Sequence, residues 1–292
     1  MTRTQCFTKA AEILRAAGID SFRAEAEILS CFCFNIERKD LILAGNKDVS
    51  DEDVKRLEIM SNERAGGRPL QYVMGIAPFC GLELFVDERV LIPRFETEEL
   101  VLRAVELIRS RGYKNMLDIC TGSGAIAVAA DRMINDSSVE FDIIASDISD
   151  DAIAVAMRNA AGRFPVIKSD LFSAFSCLNS DSVSSDTDTP SFSCRKFDLI
   201  TANPPYIPTK TVDGLDSLVK DHEPHLALDG GADGLDLVRR IINALPDMLN
   251  PGGTLLMEIG DDQGDAVKSI CPAAVIHKDI NGQDRIVEIC LS

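Results

Sequence analysis

Over the first 66 residues, apolar positions recur at helical spacing. Phe7 to Ala17 carries the pattern and stops at Gly18, Phe22 to Phe34 resumes it, and Leu41 to Ala44 reads as part of a short third helix. Ser50, with Asp53 three positions on, resembles a capping box with Asp in place of Glu and opens a helix through Glu63. Gly66-Gly67-Arg68-Pro69 breaks the run. From Phe79 to Ile92 the residues turn extended (Leu82, Leu84, Val86, Val90), with Asp87-Glu88-Arg89 as the predicted turn of a β-hairpin. Ile92-Pro93-Arg94 then leads into a helix from Glu96 to Arg111, closed by Gly112.

Beyond Gly112 the period alternates between that of strands and that of helices. Strands are expected at Met116–Ile119, Phe141–Ala145, Val166-Ile167 and Phe197–Ala202, and helices at Ala125–Met133, Ala152–Ala161 and Leu235–Leu249. Thr254–Ile259 is a further strand after a turn at Pro251-Gly252-Gly253. Such alternation predicts an α/β fold, a mostly parallel sheet with helices on both faces. Ala274–Ile276 and Arg285–Leu291, joined across Asn281-Gly282, predict one antiparallel strand at the close. The organisation that follows is a helical domain over 1–75, a hairpin linker over 76–95 and an α/β domain over 96–292. Residues 173–195 break the rhythm, being rich in Ser, Asp and Thr, and are expected to form a mobile loop tolerated as an insertion.

Composition narrows the class. The 292 residues are 46% hydrophobic and 26% charged, as in ordinary globular proteins. Apolar runs fall short of the ~20 residues of a membrane span. The first residues, Met-Thr-Arg-Thr-Gln-Cys, lack the apolar core of a signal peptide, so a cytoplasmic chain is expected. Nine scattered cysteines without a Cys-x-x-Cys pair, and only three histidines, argue for a reducing compartment and against a zinc site. The net charge of −17 opposes a broad phosphate-binding surface.

The chemistry concentrates at strand ends. Leu117-Asp118-Ile119-Cys120-Thr121-Gly122-Ser123-Gly124-Ala125 reads as a strand, a glycine turn and a helix start, where backbone can approach a ligand closely. Asp147 ends the next strand, 23 residues beyond Gly124, the spacing of a carboxylate that accepts both hydroxyls of a ribose. The dinucleotide fingerprint is incomplete, with Ala127 at its third glycine position. Asp118 beside the turn would repel a pyrophosphate and suits a partly cationic ligand such as S-adenosylmethionine. Read blandly, Asp118 is a turn carboxylate and Asp147 an N-cap. Asp170 closes the third strand and could reach an adenine amino group, with Leu171 or Phe172 against the ring or in the core. Asn203-Pro204-Pro205-Tyr206 ends the fourth: two prolines stop the strand and hold a polar amide, a rigid carbonyl and an aromatic ring at its tip. The set resembles an S-adenosylmethionine-dependent methyltransferase acting on an amino or amide nitrogen.

The resemblance becomes specific in Arg68-Pro69-Leu70-Gln71-Tyr72, Phe79 to Leu84, Val90 to Glu98, the glycine turn, Asn203 to Tyr206, Glu223 to Leu235, Glu258-Ile259-Gly260 and Asp284-Arg285. These stretches are similar to the HemK-like family, methyltransferases of a glutamine in peptide-chain release factors. Phe95 departs from the pattern, standing where the family usually has a second proline. The resemblance implies a class I, Rossmann-like catalytic domain with seven strands, the last antiparallel. It also implies S-adenosylmethionine as methyl donor, with S-adenosylhomocysteine as product, held by Asp118, Thr121, Gly122, Ser123, Gly124, Ala125, Asp147, Asp170, Leu171 and Asn203. Asn203 Oδ1 and the Pro204 carbonyl would each accept one amide N–H of the acceptor glutamine. Pro205 completes that wall, and Tyr206 would stack on the amide. The partner implied is a release factor, with no DNA and no membrane, and the chain is expected to be monomeric. The rival readings are an amino-methyltransferase of adenine or cytosine in nucleic acid, which shares the Asn-Pro-Pro-Tyr logic, and a non-catalytic scaffold that keeps the fold.

Deleting Asn179 to Thr189 is expected to leave the thermal transition and turnover nearly intact, because the stretch is too polar to pack and changing loop length costs little entropy. A lost transition, or a rate lowered by about tenfold or more, would show that it packs on working parts of the molecule.

Overall fold

The structure is a computed structural model, and it describes residues 1–135, 141–176 and 192–291. Most of the Ser/Asp-rich stretch, residues 177–191, lies outside the described residues. Its helices are α1 (Arg3–Ala16), α2 (Phe22–Phe34), α3 (Arg38–Leu43), α4 (Asp51–Ala65), α5 (Leu70–Met74), α6 (Phe95–Arg111), α7 (Ala125–Asn135), α8 (Asp150–Ala160), α9 (Thr209–Val212), α10 (Ser217–Lys220), α11 (Asp236–Met248) and α12 (Gly264–Ile270). Its strands are β1 (Ile76–Phe79), β2 (Leu82–Phe85), β3 (Asn115–Ile119), β4 (Asp142–Asp147), β5 (Val166–Lys168), β6 (Phe197–Ala202), β7 (Leu249–Glu258), β8 (Val275–Lys278) and β9 (Asp284–Cys290).

Two compact units emerge. The first comprises Met1–Ile76 and Asp216–His222, and is helical. Thr2 caps α1 in a reciprocal capping box with Gln5, and Asn35 ends α2 in the left-handed region at φ 49°. Ser50 caps α4 through the Asp53 N–H at 3.1 Å, but its hydroxyl donates to the Asp53 carboxylate at 2.7 Å, so the expected box does not close. Leu14, Leu29, Leu57 and Cys33 form the core of this unit, and the buried Arg64 pairs with Glu25.

The second unit, Ala77–Leu215 with Glu223–Ser292, carries a seven-stranded sheet in the order β5-β4-β3-β6-β7-β9-β8. β3 to β7 pair in parallel, and β9 runs antiparallel to both its neighbours. Leu100, Val101 and Ala104 of α6 pack with Ala127 and Ala130 of α7 against one face, while Val238, Ile241 and Leu245 of α11 cover the other. The strands are apolar throughout because both faces are buried. The order reverses at β3, whose next strand in sequence lies on one side and β6 on the other. Outside the carboxyl ends of β3 and β6 a crevice opens.

Two expectations are corrected. The hairpin pairs β1 with β2 around Cys80-Gly81, both in the left-handed region (φ 49° and 74°), a geometry that matches the twist of a two-residue hairpin. Asp87–Val90 does form a turn, closed by the Val90 N–H on the Asp87 carbonyl at 3.1 Å, yet no second strand follows it. β7 begins at Leu249, before Pro251-Gly252-Gly253, and absorbs those residues as an irregularity opposite Phe197 and Leu199.

Gly124, at φ 80°, is where α7 starts against α8: a Cβ there would stand 3.3 Å from the Ala156 Cβ. Gly124→Ala is therefore expected to destabilise the fold by about 1–3 kcal/mol from backbone strain and crowding, read by urea unfolding. Wild-type stability in that variant would mean that the turn has room to relax.

Candidate functional site

A cavity of about 560 Å³ occupies the crevice. Of the residues singled out from sequence, Thr121, Gly122, Ser123, Ala125, Asp147, Asp170, Leu171, Asn203 and Pro205 line it. Asp118, Gly124, Pro204 and Tyr206 are not part of its wall.

Asp118 sits under the floor. It is fully buried near the end of β3, and its carboxylate accepts the Thr121 hydroxyl at 2.5 Å and the Thr201 hydroxyl of β6 at 2.7 Å. Burial pushes its pKa up to about 7, against the pull of those two hydroxyls. Asp118 thus ties the glycine turn to the neighbouring strand from beneath the cavity. Asp147 does reach the cavity. One oxygen accepts the Gly122 N–H at 2.9 Å and the other the Ser149 N–H at 3.0 Å, and burial raises its pKa. The N-cap of α8 is Ser149, whose hydroxyl oxygen accepts the Ala152 N–H, so Asp147 is left facing the cavity.

Asp170 follows β5, half-exposed, and pairs with Arg240 of α11 at 2.8 Å. Leu171 holds a left-handed backbone at φ 49°, while Phe172 goes to the core. Asn159 of α8 was missed from sequence and braces the turn. Its amide donates to the carbonyls of Ser123 at 2.8 Å and Phe85 at 2.9 Å, joining hairpin, helix and turn.

At the other end of the cavity, Asn203 Nδ2 donates to Thr97 Oγ1 at 3.3 Å. Thr97, in the first turn of α6, donates to Glu258 Oε2 at 2.6 Å, and the Tyr206 hydroxyl donates to Glu258 Oε1 at 3.1 Å. Glu258 is almost wholly buried, and burial raises its pKa against these two donors. Pro204 is buried and Tyr206 half-buried. The turn they form rests on Leu228–Gly234: Ile207 exchanges hydrogen bonds with Leu228 and Gly230, and Gln263 donates to the Tyr206 carbonyl at 2.9 Å. A Cβ on Gly234 would come within 2.2 Å of that carbonyl, so only glycine lets the two chains meet. Arg94 reaches over from the other side to the buried Glu223 at 2.6 Å. Sequence reasoning gave Thr97, Glu258 and Gln263 no role, because the partners that place them at the site lie 52 to 161 residues away.

The ionisable lining is mainly acidic. Glu88, Asp147, Asp151, Asp170, Asp229 and Asp236 face Arg89, Arg94 and Arg240, each of which is engaged by a carboxylate. Such a field disfavours phosphates and favours a ligand with cationic groups. Gly122 has open space where a Cβ would be, beside the Asp147 carboxylate, and Leu171 and Ile148 supply apolar wall. These residues fit a nucleoside with a positively charged tail. Among the described residues no cluster of His, Cys, Asp and Glu could hold a metal ion, and no helix is long and apolar enough to cross a membrane.

A seven-stranded sheet of this order, with β9 antiparallel and the cavity at its switch point, defines a class I, Rossmann-like methyltransferase fold. The hMettl16 catalytic domain, solved in complex with the MAT2A 3'UTR hairpin 6, shares that fold at a TM-score of 0.51 and 15% identity, over 86% of this chain and 85% of that one. Residues 5–75 match the model of the PrmC N-terminal domain. The release factor glutamine methyltransferase of Geobacter sulfurreducens is 35% identical over 94% of this chain and 91% of its own length. That of Moorella thermoacetica is 34% identical over 98% and 97%. The chain belongs to the release factor glutamine methyltransferase family.

The raised pKa of Asp118 is expected to make stability depend on pH. A carboxyl whose folded pKa is near 7, against 3.8 unfolded, stabilises fully below pH 4 and loses that contribution as pH rises through 7. The loss is of order 4 kcal/mol at 1.36 kcal/mol per pKa unit. Urea titrations at pH 5 and 8 should show a flatter dependence in Asp118→Asn than in wild type. Parallel curves would mean that the carboxyl is ionised throughout.

Proposed function

We propose that the protein transfers a methyl group from S-adenosylmethionine to the side-chain amide nitrogen (N5) of the glutamine in the Gly-Gly-Gln motif of peptide-chain release factors. The observation that carries this reading is that one cavity joins two ends of opposite chemistry. One end has open backbone at Gly122 beside the Asp147 carboxylate, and the other has the Asn203 amide. Family membership supplies the substrate class.

At the first end, Asp147 accepts the ribose hydroxyls, the turn Thr121–Ala125 lies along the nucleoside, and Leu171 packs on the adenine. Asp170 keeps its place beside the adenine amino group while balanced by Arg240. When bound there, S-adenosylmethionine supplies an electrophilic methyl on a cationic sulfur, and the acidic lining suits that charge.

At the second end, Asn203 Oδ1 and the Pro204 carbonyl each accept one hydrogen of the glutamine NH₂. An amide nitrogen is a poor nucleophile, because its lone pair is delocalised into the carbonyl. Holding both hydrogens fixes the plane of the group and aims the nitrogen at the methyl, so catalysis is by positioning. Tyr206, pinned through its hydroxyl to Glu258, keeps its ring at the edge of the turn. The N-methylated amide is strongly acidic and sheds its extra proton without a dedicated base. We infer that the helical unit docks the release factor and that the chain acts as a monomer.

Nucleic-acid amino-methylation is not favoured. The net charge is −17, and the cavity's arginines already have carboxylate partners. A likeness of 15% identity to an RNA-bound catalytic domain carries the fold alone.

Asn203→Ala is expected to lower kcat by roughly 10²-fold or more while leaving S-adenosylmethionine affinity nearly unchanged, since the lost contact orients the acceptor. Mass spectrometry of a release factor, of its Gln→Asn variant and of an adenine-containing oligonucleotide tests it. Methylation of the oligonucleotide, or undiminished transfer by Asn203→Ala, would sink the assignment. Asp147→Ala should weaken S-adenosylmethionine by about 1.5–3 kcal/mol, the value of a charged acceptor. Unchanged affinity in titration calorimetry would place the ribose elsewhere.

A further inference from the structure

We propose that Thr97 and Glu258 are positioning residues that fix which way round the Asn203 amide stands, and that they thereby make the site select an amide over a carboxylate. The inference rests on the glutamine-amide reading above and names what enforces it.

Glu258 ends β7 next to the strand that delivers Asn203, Ala202 being in register with Met257. Its carboxylate has only acceptors to offer. Thr97 has one hydroxyl proton, and at 2.6 Å from Glu258 Oε2 that proton is committed to the carboxylate. The Thr97 oxygen is then left with lone pairs alone toward its other neighbour. Asn203 can satisfy them only with its NH₂, and Nδ2 is the atom found 3.3 Å away. The reversed amide would set Oδ1 against a hydroxyl oxygen with no hydrogen to share, leaving two buried acceptors in contact. The direction of every proton in the relay Asn203 → Thr97 → Glu258 is thus dictated by the carboxylate at its end. Oδ1 is left for the acceptor substrate.

The relay is also shut off from competition. Thr97 is only 4% exposed and Glu258 1%. The second oxygen of Glu258 is occupied by the Tyr206 hydroxyl at 3.1 Å, so the same anion anchors both ends of the Asn203–Tyr206 turn. Burial raises the Glu258 pKa, and the Thr97 and Tyr206 hydroxyls, with Arg285 behind them, oppose that rise; the Arg285 guanidinium itself donates to the Ile259 carbonyl and to Asp279.

The consequence is specificity as well as rate. An amide held with its oxygen toward the substrate accepts from an NH₂ group. A glutamate in the same place would bring acceptor against acceptor and be refused. If the relay is cut, the amide is free to turn, present Nδ2 and receive a carboxylate. A site built on a fixed acceptor discriminates strongly because the wrong partner leaves buried polar groups unpaired.

The test uses full-length protein and three variants: Thr97→Val, which keeps the shape and removes the hydroxyl; Thr97→Ser, which keeps the hydroxyl; and Thr97→Ala as a second deletion should Val not fold. Thermal unfolding and calorimetric titration with S-adenosylmethionine verify that the fold and the donor end are intact. On a release factor, Thr97→Val should lose about tenfold or more in kcat with little change in KM, as for a contact that orients the reacting group. The decisive readout is competitive inhibition by the Gln→Glu release factor relative to its Gln→Ala form. That ratio should shift toward tighter glutamate binding by roughly tenfold in Thr97→Val, and Thr97→Ser should restore both kcat and discrimination. A Thr97→Val protein with lowered kcat but unchanged Glu/Ala discrimination would reduce Thr97 to a packing residue and overturn the proposal. So would wild-type kcat in both deletion variants. Failure of wild type itself to methylate the release factor would instead overturn the function on which the proposal rests.

Discussion

The site depends on buried carboxylates that accept hydroxyls. Asp118 joins Thr121 of the glycine turn to Thr201 of β6, so the turn is positioned against the strand whose end carries Asn203. Burying such a group is costly unless its acceptors are filled, and here each oxygen receives a short O–H donor. Glu258 repeats the device one strand further on, with Thr97 and Tyr206 as its donors. The two carboxylates cross-link consecutive strand ends of the parallel sheet, where the hydrogen-bonding ladder stops. Positioning at the cavity therefore rests on carboxyl groups buried beneath it.

Loop geometry completes the frame. Pro204 and Pro205 end β6 by removing two backbone donors, which leaves the turn's stability to outside partners. Those partners come from Leu228–Gly234, whose backbone pairs with Ile207 and whose glycines allow contact at backbone distance. Gln263 adds the last bond, to the Tyr206 carbonyl. The run Ala227 to Leu235, whose backbone carries the Asn203–Tyr206 turn and whose Asp229 lines the cavity, is thus as much part of the site as Asn203 is. Its small residues are dictated by close packing.

Much of the fold was legible because its information is local. Strands buried on both faces appear as continuous apolar runs, helices show a 3.6-residue period, and β9 announced itself through Asn281-Gly282. The errors fall where local signals compete. Asp87-Glu88-Arg89 has the composition of a hairpin turn, and Cys80-Gly81 has a weaker one, yet the second is used, with both its residues in the left-handed region. Pro251-Gly252-Gly253 looks like a terminator, but the neighbouring strand holds it as a bulge. At the site, glycines, a strand-end Asp and Asn-Pro-Pro-Tyr were visible for the same local reason. Asp118 was visible too, but its direction was not: whether a carboxylate faces a ligand or a threonine 83 residues away is decided by the sheet register.

This contrast explains why the relay through Thr97 escaped notice. Thr97 and Glu258 stand in family-like stretches of the sequence with nothing local to pair them, and one tertiary fact joins them: α6 starts beside the carboxyl end of β7 and buries the pair together. Once buried, the two groups have no freedom left. The anion can only accept, the hydroxyl has one proton to give, and the amide beyond it must donate. The orientation proposed for the Asn203 amide is in this sense set 55 residues away, at Glu258.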